Sequence, residues 1–116
     1  MVSVQPTTTR ENADFIHFIT QKFDEMKELF IKKNEQYGTG DPLANFRTAA
    51  LMHSGEDSYG AMYEEAKAFM RKHIAHIENN GIGGAKVAES LGDVMVYCNI
   101  MMYMVNEWEK SREDKA

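Results

Sequence analysis

The sequence predicts an all-α fold, a four-helix bundle-like domain, and three observations carry that prediction. Apolar residues recur at whole-turn spacings, Gly-, Asn- and Pro-bearing breaks separate the periodic segments, and no strand-like alternation of any length intervenes. The segments run over about 11–37, 43–53, 58–80 and 85–112.

In the first segment Phe15, Ile19, Met26 and Phe30 fall on one face, and Thr9 is placed to cap it. Gly38, Gly40, Asp41 and Pro42 then break the chain. Asp41 can cap a short second helix, with Pro42 fitting its first turn. Ser54, Gly55 and Asp57 form the next break. Met62, Ala66, Phe69, His73 and Ile77 mark one face of a third helix that stops at Asn79-Asn80-Gly81. A Gly-Ile-Gly-Gly connection, read as flexible, leads into the fourth helix. Its apolar arc is expected to centre near Val94 and Val105.

At 116 residues the chain is expected to form one domain, residues 1–116, with flexible flanks at 1–9 and 113–116. A single Cys98 excludes an internal disulfide and the Cys-rich zinc modules. The first ten residues carry no apolar stretch, and the greasy run Val94 to Val105 is too short to span a bilayer, so a cytoplasmic location is expected, with no membrane partner. A net charge of −5 argues against a nucleic-acid partner, though a small phosphate ligand held through a cation remains open. Nearly every position from Val94 to Tyr103 is apolar or aromatic. One small bundle cannot cover such a helix on all sides, which predicts a homodimer or higher homo-oligomer through helix 4.

Each helical residue advances about 100° around the axis, so polar groups close to an apolar face stand out. On helix 4 Lys86, Glu89, Asp93 and Tyr97 form a stripe that Ile100 and Met104 continue. Its lower half is expected to be buried and its upper half semi-enclosed. Two partly desolvated carboxylates one turn apart need a proton, a basic side chain or a divalent cation between them. Lys86 or a residue of another helix would satisfy them as well as a metal would. On helix 3 Glu65, Lys72 and His76 form a second boundary stripe that could complete the site, while His73 reads as a hydrogen-bonded core histidine. On helix 1 Glu28 and Lys32 read as a solvated pair, and Glu25 as a possible ligand. Lys33 lies in line with Met26 and Ile19, placing its ammonium at the Gly-rich break. The stretch from Lys33 to Arg47 gathers amides, rings and cations suited to bases and phosphates.

The order Lys33-Asn34-x-x-Tyr37-Gly38, Asn45-Phe46-Arg47, Lys72 and Glu89-Ser90-Leu91-Gly92-Asp93 with Tyr97 resembles small phage-associated proteins of the MazG-like, all-α nucleotide pyrophosphohydrolase group. The resemblance implies Mg²⁺-dependent hydrolysis of a (deoxy)nucleoside triphosphate or modified nucleotide to monophosphate and pyrophosphate. Glu89 and Asp93 would be catalytic and hold Mg²⁺ (or Mn²⁺), joined by Glu65. Lys33, Arg47 and Lys72 would bind phosphate, and Asn34, Tyr37, Asn45 and Tyr97 the rest of the nucleotide. The acidic motif is one residue longer than the family's, with Ser90 where a Glu usually stands, and Glu64-Glu65 lacks the later Glu of its counterpart. A non-catalytic nucleotide-binding protein, or a structural helix-bundle partner protein, is therefore the alternative.

Overall fold

A computed structural model describes residues 9–36 and 40–115. The chain is all α: α1 spans Thr9–Gln36, α2 Ala44–Ser54, α3 Tyr59–Asn79 and α4 Val87–Lys115, and no strand occurs among the described residues. The boundaries follow the sequence reading closely, except that α4 continues to Lys115 instead of stopping near Arg112. The expectation of flexibility for residues 1–8 and Ala116 falls outside the described residues. None of the helices is long and apolar enough to cross a membrane, among the described residues. Contacts divide the chain into two compact units, Met1–Gly38 and Thr39–Ala116.

The first unit carries α1, which Thr9 opens as a helical residue rather than as a preceding cap. Thr20 turns its hydroxyl back to the Ile16 carbonyl at 2.9 Å, a common way for a β-branched polar residue to be accommodated mid-helix. The i,i+3 ion pair on this helix joins Lys22 to Glu25 at 3.3 Å, so Glu25 serves a solvated salt bridge. Among the described residues no ion pair joins Glu28 to Lys32, the solvated pair expected there.

The second unit packs α2 on α3 and α3 on α4. Asp41 accepts the Leu43 N–H at 2.9 Å and its carbonyl accepts the Ala44 N–H at 3.1 Å, so Asp41-Pro42 form the turn before α2. Leu43, not Asp41, is the capping residue, and it enters the core. The helix stops at Gly55, whose left-handed backbone (φ 77°) lets its N–H return to the Leu51 carbonyl at 3.0 Å. Three residues later the Ser58 hydroxyl accepts the Ala61 N–H at 3.1 Å and starts α3.

Leu43, Phe46 and Ala50 of α2 and its turn, Met62 and Ala66 of α3, and Met104 of α4 form the core. Tyr59, Tyr63, Tyr97 and Ile100 pack around them. Burial raises the Tyr59 phenol pKa, with Tyr103 and then Glu107 adding to it, which places the start of α3 beside the distal half of α4. The buried face of α4 runs through Ser90, Tyr97 and Met104. The arc expected around Val94 and Val105 is not that face: Val105 and Leu91 are exposed, and Val94 is half-buried. An α4 that is apolar nearly all round offers no dominant direction, and the packing of α3 selects its polar-bearing stripe instead.

Phe46 lies edge-on to Phe69 of α3 (5.7 Å, 70°) and to Tyr97 of α4 (6.3 Å, 80°), so one ring joins three helices. Phe46→Ala should remove about 3–5 kcal/mol of unfolding free energy, measured by urea denaturation. A loss below about 1 kcal/mol would show that the ring does not hold the helices together.

Candidate functional site

Residues 80–86 join α3 to α4 and reverse the chain, so the two helices run antiparallel. The connection is tightly organised rather than loose. His76 Nε2 lies 2.8 Å from the Ala85 carbonyl, the Asn80 amide donates to the His76 carbonyl at 2.8 Å, and the Gly84 N–H closes a turn onto Gly81 O at 2.8 Å. Gly84 is required there, because a Cβ would stand 2.5 Å from that of Asn80.

Beside this connection the helices border a groove of about 280 Å³. From α3 it is lined by Lys72, His73 and His76, and from the α4 side by Lys86, Glu89, Ser90 and Asp93. His73 Nδ1 approaches Asp93 Oδ2 at 3.4 Å, with side chains 20% and 39% exposed. The same imidazole lies against the Tyr97 ring, centroids 5.6 Å apart and tilted by 33°. Burial raises the Tyr97 phenol pKa, and the neighbouring Asp93 charge adds to the rise. Contacts thus lead from Phe46 in the core through Tyr97 and His73 to Asp93. The basic group from another helix that the carboxylate stripe called for is His73.

A second groove of about 450 Å³ lies toward the other end of the helix pair, lined by Tyr63, Cys98, Met101, Met102, Val105, Asn106 and Glu109. It is mainly apolar and gathers no opposed ionic groups, so the titratable side chains concentrate in the smaller groove.

Of the residues singled out from sequence, Lys72, Glu89 and Asp93 come together in that groove, with Tyr97 directly behind His73. Glu65 does not join them. It precedes His73 by eight residues, a rise of about 12 Å along α3, and both of its oxygens lie 2.9 Å from His53 Nδ1. The reason is burial: at 9% exposure its carboxylate needs a partner at its own level, and α2 supplies one. No group of three or more His, Cys, Asp or Glu side chains arranged to hold a metal occurs among the described residues.

Arg47 is also held elsewhere. Its guanidinium binds Asp41 and, at 3.2 Å, Asp57, bracing the turns at both ends of α2. That contact holds the Asp41 carboxyl below its ordinary pKa, with the Leu43 N–H adding to the effect. Asn45 is exposed in the first turn of α2, and Asn34 is exposed on α1 in the first unit. The Lys33 side chain and Tyr37 lie outside the described residues. His73, His76, Lys86 and Ser90 complete the groove. The meeting of the Lys72–His76 stripe with the Lys86–Asp93 stripe is the one the sequence allows, whereas His73, expected in the core, lines the groove and pairs with Asp93.

If His53 holds Glu65 in the fold, His53→Ala should cost about 1–2 kcal/mol, moderated by the exposure of the imidazole. Chemical unfolding would measure it, and an unchanged stability would restore Glu65 as a free carboxylate available to a ligand. Comparison with known proteins gives no relative to set beside this geometry: no family model, no curated protein and no solved structure matches the chain.

Proposed function

We propose that this chain is a Mg²⁺-dependent nucleotide pyrophosphohydrolase, cytoplasmic and phage-associated, that converts a (deoxy)nucleoside triphosphate or modified nucleotide to monophosphate and pyrophosphate in the α3/α4 groove. The observation that carries this reading is that two carboxylates of α4, one helical turn apart, line one open groove with basic side chains from α3 and from the α3–α4 connection. Phosphate esters need this combination, because their oxygens take ammonium and imidazole donors while carboxylates hold the accompanying cation.

The donor set fits magnesium in a restricted form. Mg²⁺ keeps several waters and is commonly bound by one or two carboxylates together with the substrate's own phosphates, so Glu89 and Asp93 suit a cation that arrives with the nucleotide. Held there, Mg²⁺ (or Mn²⁺) would neutralise phosphate charge and acidify a bound water. Lys72 would bind phosphate oxygens. His73 would orient Asp93, with Tyr97 fixing the imidazole from behind and standing near the rest of the nucleotide. Lys33, Asn34, Tyr37 and Asn45 enter this reading through the family resemblance alone, and Arg47 and Glu65 are left out because Asp41, Asp57 and His53 hold them.

Binding without turnover is the second reading, favoured by the His73 contact that already occupies Asp93. The same chain would then sequester a nucleotide. A homodimer or larger homo-oligomer accompanies either reading: Met102 is 67% exposed on α4, with Val105 and Trp108 also open.

Purified protein incubated with a nucleotide panel and Mg²⁺ or Mn²⁺ should release pyrophosphate, and Asp93→Asn should slow release by about a hundredfold. Absence of pyrophosphate from every nucleotide would sink the enzyme, and calorimetric binding without product would select the second reading. Light scattering at micromolar concentration should give at least twice the chain mass; a monomeric mass removes the oligomer from the proposal.

A further inference from the structure

The residue that closes the groove on the α4 side has an unusual backbone. Among the described residues Lys86 is the one non-glycine in the left-handed region, at φ 62°. Its carbonyl accepts the Ser90 N–H at 3.0 Å, so Lys86 stands immediately before the first turn of α4. A left-handed position favours glycine, since a Cβ there crowds the backbone. Gly81, Gly83 and Gly84 occur just upstream, yet this position carries a long cation.

Lys86 lines the groove together with Lys72 from α3. Among the described residues neither lysine has an ion-pair partner, whereas Asp93 is engaged by His73. Two lysines without an ion-pair partner on one groove, one from α3 and one from the α3–α4 connection, suit a ligand with several anionic oxygens strung along it. A chain of phosphates meets that requirement better than a single phosphate does.

We infer that Lys86 is a phosphate-binding residue that, together with Lys72, engages the polyphosphate portion of the ligand. The inference rests on the nucleotide reading for the identity of the whole ligand, but not for the chemistry of the polyphosphate.

Calorimetry with inorganic tripolyphosphate, and separately with Mg²⁺-nucleoside triphosphates, tests it on wild type, Lys86→Gly and Lys86→Arg. Lys86→Gly should weaken both ligands by at least about tenfold, while its thermal midpoint stays within about 3 °C of wild type, because relief of the backbone offsets the added chain freedom. Lys86→Arg should keep affinity within about threefold, since it preserves the charge. Equal affinity in Lys86→Gly and wild type would overturn the inference while leaving the nucleotide reading intact. Tripolyphosphate binding that depends on Lys86, without any nucleotide binding, would support the inference and remove the nucleotide. If wild type binds neither ligand, both are overturned.

Discussion

The second unit depends on the contact of the Phe46 ring with Phe69 and Tyr97. The ring is 9% exposed, and α2 is too short to stand alone as a helix in water. Its apolar side is therefore stabilised by what Phe46, Leu43 and Ala50 bury against α3 and α4. The same ring supports Tyr97 from behind, and Tyr97 supports the imidazole that meets Asp93. Core packing and the placement of the candidate site are thus one structure, because each side chain in the series is held by the one beneath it.

Among the described residues the ionic groups near the interior have local partners. Glu65 takes His53, Arg47 takes Asp41 and Asp57, and Asp93 takes His73. The first two pairs tie α2 to its surroundings and carry no spare valence for a ligand. At the groove the balance differs: Lys72, Lys86 and Glu89 enter no ion pair among the described residues.

The α3–α4 connection sets the geometry of that groove. Glycine-rich loops are often mobile, but here His76 and Asn80 bind the loop back to the end of α3, and Gly84 allows the chain to pass where a side chain would collide. The start of α4 is thereby delayed to Val87, and Lys86 is presented at the rim rather than incorporated in the helix. The anchoring restricts the main chain at this position, while the exposed Lys86 side chain keeps its rotamer freedom.

Helix positions, breaks and the Glu89-Asp93-Tyr97 stripe were legible in the sequence because they are local, whereas Lys86, expected to head that stripe, stands before the helix in a left-handed conformation. Periodicity near 3.6 residues assigns each side chain a direction, and Gly55, Ser58 and Asn80 end or begin helices through bonds to near neighbours. Direction does not specify partner or height. That Glu65 meets His53 instead of Asp93, that Arg47 turns to Asp41 and Asp57, and that the uniformly apolar α4 buries Ser90, Tyr97 and Met104 all depend on how far one helix slides and rotates against another. Those offsets arise from side-chain interlocking between segments distant in the chain, an interaction that leaves no periodic mark on either segment alone.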